Sequence, residues 1–128
     1  MKLGRSTGNP KKAEAARIVA AKEGPCMACL VRAMRGEMDW DQIIHGCDYH
    51  HTKSGNVRRG HMFGFGLCVW HHRGVRPGHF ARFEMLEKYG PSLMDGSRLF
   101  REAFGPDDDL ITLQSKYIET GYGHLQAA

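Results

Sequence analysis

Three stretches in the C-terminal part of the chain share one pattern, in which apolar positions return every three or four residues and a glycine closes the run. They are residues 79–90 (HFARFEMLEKYG), 97–105 (SRLFREAFG) and 107–121 (DDDLITLQSKYIETG). This period predicts three amphipathic helices. The last opens on Asp107, Asp108 and Asp109, whose charge suits a helix N-terminus, and carries Leu110, Leu113 and Tyr117 with Ile111 and Ile118 as its apolar side. Ordinary packing over the centre of the molecule accounts for all three. At the other end, Asn9-Pro10 precedes KKAEAARIVAAKE and Gly24-Pro25 follows it, which predicts a helix over residues 10–23. Ala13, Ala16 and Ala20, with Ile18 and Val19, give it a narrow apolar stripe and leave Lys11, Lys12 and Arg17 for solvent or phosphate. Residues 1–8 are polar and basic and read as a mobile arm.

Between these ends the periodicity fails. Residues 24–72 are rich in Gly, Cys and His and poor in aliphatics, so a conventional core is not expected to hold them. Cys26-Met27-Ala28-Cys29 is a C-x2-C pair, and Cys68-Val69-Trp70-His71 repeats the spacing. Two such knuckles turn four ligands onto one tetrahedral Zn²⁺, which predicts a Cys3His structural zinc site of Cys26, Cys29, Cys68 and His71. The competing reading, a redox pair, lacks the thioredoxin-like βαβ pattern that usually carries one. Zinc binding would also supply the folding free energy that the region otherwise lacks. Cys47 and His50 have the same spacing and leave open a second zinc. Trp70 reads as core, and His45, His79 and His124 as structural or surface residues.

At 128 residues the chain fits a single domain. It has no apolar run near the ~20 residues of a membrane span, and its start lacks the apolar core of a secretory signal, so a cytoplasmic protein is expected. The formal charge is +4, and its placement matters more than its size. No acidic residue occurs between Asp48 and Glu84, while Lys53, Arg58, Arg59, Arg73, Arg76 and Arg82 all fall there. Such a stretch suits a polyanion and is otherwise a solvated face. Lys53, Arg58, Arg59, Arg73 and Arg76 are the candidate contacts to a polyanion such as a nucleic acid.

The middle of the chain adds Tyr49-His50-His51, whose adjacent histidines would point to opposite faces of a strand. His50-His51 followed by Cys68-x2-His71-His72 resembles the HNH, or His-Me finger, nucleases. More narrowly, CMAC, YHHTKSG, RRGH, LCVWHHRG and GPSLMDGSRLFREAFG resemble the phage recombination-enhancement-function (Ref) family of RecA-dependent nucleases, over most of the chain from Gly24 to Tyr117.

The resemblance implies an α+β fold: a small zinc-stabilised ββα-metal core at residues 24–76, a basic arm and helix at 1–23 and a helical cover at 77–128, all one domain. It implies His51 as general base, His50 and His72 as ligands of a catalytic Mg²⁺ or Mn²⁺, and His71 as the zinc ligand beside His72. The usual pattern has an Asn that orients the base, and here Phe63-Gly64-Phe65-Gly66 stands in that region. His61 is the nearest polar substitute and Asn56 the weaker one. The implied function is metal-dependent DNA endonuclease activity alongside a RecA-type recombinase, in a bacterial cell and from a phage or prophage. The alternative is a non-catalytic zinc-knuckle module that binds nucleic acid or a recombinase.

Overall fold

The computed structural model describes residues 8–55, 57–76 and 78–127. Of the basic arm only Gly8 falls among them, and Asn56 lies outside. Helix α1 spans Lys12–Glu23 and starts two residues later than Pro10, because the Glu14 side chain accepts from the Lys11 N–H at 2.8 Å and caps the helix there. Arg17 departs from the expectation that it faces solvent, since only 7% of it is exposed. Its guanidinium donates to Tyr49 Oη (3.2 Å), Gly64 O (2.8 Å), Ser115 Oγ (2.8 Å) and Ile111 O (3.3 Å). Acceptors from three other parts of the chain converge on it, which satisfies a buried cation that is otherwise costly.

The first cysteine pair begins a helix that periodicity did not predict. Helix α2, Met27–Met34, has Cys26 as its N-cap, with the Cys26 sulfur accepting from the Cys29 N–H at 3.5 Å. The helix buries Met27, Ala28, Leu30 and Ala33. Together with Phe65, Leu67 and Trp70 these residues give the middle region a large share of the core, contrary to the expectation of a region without one. Sulfur-bearing and aromatic side chains fill the space that aliphatics were expected to leave empty.

Strand β1 (Asp48–His51) pairs antiparallel with β4 (Gly64–Leu67) in the register Asp48↔Leu67, Tyr49↔Gly66, His50↔Phe65, His51↔Gly64. Between them β2 (Lys53–Ser54) and β3 (Val57–Arg58) form a second small antiparallel pair. Helix α3 (Val69–Arg73) follows β4 directly and completes a strand–strand–helix unit. The rest is helical, as the periodicity predicted: α4 (Arg82–Tyr89), α5 (Ser97–Phe104) and α6 (Asp107–Ala127), the last broken by Gly121 at φ 70°. The fold is thus a small α+β one. No helix among the described residues is long and apolar enough to cross a membrane.

The pairing sorts the β1–β4 hairpin into two faces. Tyr49, His51, Gly64 and Gly66 share one, and Asp48, His50, Phe65 and Leu67 the other. Helices α1 and α6 lie against β4 on the glycine side. A Cβ at Gly66 would stand 2.7 Å from the Ala21 carbonyl oxygen, and one at Gly64 would stand 2.5 Å from the Tyr49 ring. The Gly66 N–H donates to buried Gln114 of α6 at 2.8 Å. The F-G-F-G run is therefore a packing device that admits α1 and a tyrosine ring, with the phenylalanine at 65 left to the core.

Candidate functional site

The four predicted zinc ligands converge. Cys26, Cys29, Cys68 and His71 are fully buried, and their ligand atoms all lie within 4.8 Å of one another. His71 Nδ1 is 3.4, 3.8 and 3.3 Å from the sulfurs of Cys26, Cys29 and Cys68. A tetrahedral ion with Zn–S of ~2.3 Å and Zn–N of ~2.0 Å requires sulfur–nitrogen separations of about 3.5 Å, so the donor set fits zinc. His71 Nε2 lies 2.7 Å from the Tyr89 carbonyl oxygen. A carbonyl only accepts, so Nε2 carries the proton and Nδ1 keeps its lone pair for the metal. Phe104 and Phe100 pack edge-on to the same ring, at 5.1 and 6.5 Å between centroids, and α5 thereby closes the site. Burial pushes the Cys26 thiol well up, whereas hydrogen bonds with Cys26 and Cys29 pull the Cys68 thiol well down, so it is the Cys26 sulfur that needs a cation to be held as a thiolate.

Cys47 and His45 stand apart from this cluster. Cys47 donates to the Gly24 carbonyl (3.5 Å), and burial pushes its thiol up to about 12. His45 is exposed, with Nδ1 3.3 Å from the Ile43 carbonyl oxygen. Trp70 is core, as read from the sequence, and donates to the Gly90 carbonyl at 3.0 Å. His79 is exposed, and the side chain of His124 lies outside the described residues.

The second histidine group is built on the hairpin and α3. His50 faces α3, its ring 5.3 Å from that of His72 and 5.3 Å from that of Phe65. Burial is the main reason its pKa is pushed down to about 4, helped by His72, His51 and Lys53, so it is neutral with a lone pair near pH 7. His72 Nδ1 donates to Asp48 Oδ2 at 2.8 Å, and Arg73 Nε donates to the same oxygen at 2.8 Å. The His72 bond, reinforced by Arg73, holds the Asp48 carboxyl below its usual range against a burial penalty. An ionised carboxylate fixes the imidazole tautomer and leaves Nε2 of His72 for a ligand. His50 and His72 thus face each other beside the Asp48 carboxylate, and the two rings are the residues of this group that could hold a divalent ion.

His51 points to the other face, against Tyr49 and His61. Its Nε2 is 3.2 Å from His61 Nδ1, and His61 Nε2 is 2.8 Å from the Gly8 carbonyl oxygen. Direction follows from the carbonyl: His61 donates to Gly8 through Nε2, so with both rings neutral His61 Nδ1 accepts from His51 Nε2–H. The remaining lone pair of His51 is on Nδ1. The Tyr49 hydroxyl donates to the His61 carbonyl oxygen at 2.5 Å and steadies this chain of contacts. Burial, Arg58 and His61 together lower the His51 pKa. Although His50 and His51 leave the strand on opposite sides, β1 ends there, and both line one cavity of about 330 Å³ with Lys53, Gly55, Leu93, Ser97, Phe100, Arg101 and Asp107.

The basic stretch is less uniform in space than in sequence. Arg59 pairs with Asp108 of α6 at 2.8 Å and lies 4.7 Å over the Phe63 ring, and Arg73 is held by Asp48. Lys53, Arg58 and Arg76 are exposed, and their side chains have no hydrogen-bond or ion-pair partner among the described residues. Arg73, Arg76 and Arg82 line a second concavity of about 300 Å³, where Arg82 is ion-paired with Asp95. Sequence reading missed Asp48, whose signal was its place two residues before His50 on the same strand face. It also missed that α5 brings Ser97 and Arg101 to the histidine cavity, which no local signal could reveal.

A family model described as recombination enhancement, RecA-dependent nuclease matches residues 10–119. That span runs from the N-terminal side of α1 well into α6 and includes every residue of both histidine groups except the Gly8 carbonyl. No curated protein and no solved structure matches the chain.

Proposed function

Because the chain belongs to the recombination-enhancement, RecA-dependent nuclease family, we propose that it is a metal-dependent DNA endonuclease of the HNH type, acting in the bacterial cytoplasm on DNA engaged by a RecA-type recombinase and encoded by a phage or prophage. The observation that carries this reading is the meeting of two differently prepared histidines at one cavity. His50 is backed by His72 and Asp48, and His51 is backed by His61. His50 and His72 would hold Mg²⁺ or Mn²⁺, with Asp48 orienting His72, and when bound the ion would offset the negative charge that builds on the phosphate and the leaving oxygen.

His51 accepts the proton of the attacking water at Nδ1 while the new O–P bond forms and the P–O3′ bond breaks, and the released 3′-oxygen takes a proton from solvent. His61 fills the orienting role that an Asn would fill in other HNH sites: it accepts from His51 Nε2–H and so presents Nδ1 to the water. A depressed His51 pKa keeps the base neutral at physiological pH. The Cys3His zinc is structural. It fixes His71, the residue next to His72, and with it the placement of α3.

The test is cleavage of labelled single-stranded and recombinase-paired DNA with Mg²⁺ or Mn²⁺, comparing wild type, His51→Ala and His72→Ala. Removal of a general base typically costs about 10²–10⁴-fold, without loss of zinc or of DNA binding. Excess Mn²⁺ is expected to recover part of the activity of His72→Ala and none of that of His51→Ala. If wild type cuts neither substrate, the nuclease reading fails and the zinc-knuckle binding module replaces it. If His51→Ala cuts at the wild-type rate while His72→Ala is dead, His50 takes the role of base.

A further inference from the structure

Helix α5 has two working sides. One carries Phe100 and Phe104 onto the zinc-facing histidine, as described above. On another, Ser97 and Arg101, four residues and so about one turn apart, line the cavity that holds His50 and His51. The ion pair of the helix is elsewhere: Arg98 and Glu102 bond each other at 3.0 Å. Arg101 is exposed and its side chain has no hydrogen-bond or ion-pair partner among the described residues, although Asp107 lines the same cavity. Lys53 enters the cavity from the β2 side. A guanidinium with no side-chain partner that lines the same cavity as two imidazoles has a fork of N–H donors matched to a tetrahedral oxyanion, and Ser97 adds a hydroxyl donor from the same helix.

We propose that α5 carries a phosphate subsite of the substrate cleft, in which Arg101, assisted by Ser97 and Lys53, grips a backbone phosphate of the nucleic-acid strand whose scissile bond lies at His50 and His51. This rests on the nuclease reading above and adds to it a contact from outside the strand–strand–helix unit. The helix that shields the zinc site then also sets the position of the strand. Arg101 is a binding group here, and the loss of its contact is read in affinity first.

The probe is a labelled oligothymidylate single strand, with binding measured by fluorescence anisotropy over a salt series and cleavage measured separately on recombinase-paired DNA. Arg101→Ala is expected to weaken binding and to reduce the slope of log K against log salt by about 0.7, the share of one phosphate contact on a single strand. KM on the paired substrate is expected to rise by more than kcat falls. Arg101→Lys keeps the charge without the fork and is expected to recover the slope but only part of the affinity. Arg98→Ala, on the outer side of the helix, is expected to leave every reading unchanged.

An unchanged slope and KM in Arg101→Ala overturns the subsite, even if the protein proves to be an active nuclease. The converse outcome, an Arg101-dependent slope in a protein that cuts nothing, supports the subsite and removes the nuclease reading alone. If the variant binds free strand normally but is lost from recombinase filaments, Arg101 contacts the protein of the filament, and the phosphate assignment is overturned.

Discussion

On the proposal that His72 holds the catalytic metal, Asp48→Asn separates the chemistry of that residue from the stability of the fold. The amide oxygen of Asn can still accept from His72 Nδ1–H, so the ring has a partner, but the negative charge that sharpens its basicity and holds Arg73 is gone. The carboxylate and the imidazole are 31% and 27% exposed, so solvent screens the pair heavily. Its worth to stability is at most ~1 kcal/mol, which for a chain of this size moves Tm by no more than about 5 °C. The worth to the metal is larger, since losing the outer partner of a ligating histidine typically costs about 10–100-fold in metal affinity or activity, or about 1.4–2.7 kcal/mol. The assay is a Mn²⁺ titration of cleavage with thermal unfolding in parallel. The half-saturating Mn²⁺ concentration should rise by that factor, and the rate at saturation should approach wild type. A merely structural role would lower Tm and leave the half-saturation point in place. An unchanged midpoint with unchanged Tm would falsify the assignment of Asp48 as the group that positions His72.

Three further outcomes are expected. Protein purified without chelator should contain about one zinc per chain, and Cys29→Ala or strong chelation should unfold it; less than about half an equivalent in folded protein would sink the Cys3His site. Gly64→Ala should lower stability by about 1–3 kcal/mol or more in denaturant titration, because the new Cβ meets both the Tyr49 ring and the His50 carbonyl oxygen, at 2.5 and 2.7 Å; an unchanged midpoint would mean that the hairpin face is looser than described. Arg58→Ala should flatten the salt dependence of DNA binding by about one contact, and Arg59→Ala by less, because Asp108 already holds Arg59; equal effects would show that the Asp108 pair opens on DNA.

How far the sequence could be read depended on how local the signal was. The convergence of Cys26, Cys29, Cys68 and His71 was legible because knuckle spacing is a property of a few adjacent residues, and the C-terminal helices because periodicity and glycine stops are. Helix α2 was hidden by its own function: CMAC reads as a turn around a metal, while the same residues start a helix whose N-cap is a ligand cysteine. Arg17 was misplaced because a lysine- and arginine-bearing helix face looks solvated until acceptors from β4 and α6 are brought to it. The acid-free run from Lys53 to Arg82 was real along the chain, yet Asp48, Asp95 and Asp108 reach it in space. Pairing of His51 with His61 was anticipated only as a substitute for a missing Asn, and the glycines that seemed to mark the gap turned out to make room for α1 and Tyr49. What stayed illegible was contact between distant segments, as at Ser97 and Arg101.

The Arg17 hub sets an order on synthesis. Its hydrogen bonds reach partners 32, 47, 94 and 98 residues away along the chain, and the two longest are to Ile111 and Ser115 in α6. Contacts of such span carry a high loop-closure cost and form late in folding. During translation α1 and the hairpin leave the ribosome well before α6, at about 5–20 residues per second. Until α6 follows, the guanidinium lacks two of its four acceptors, and the glycine face lacks the Gln114 oxygen that receives the Gly66 N–H. The surface on which His51 and Tyr49 stand is therefore sealed only when α6 has been made, and a ribosome stalled before Ser115 would carry the cysteines and histidines of both groups without the support that closes them.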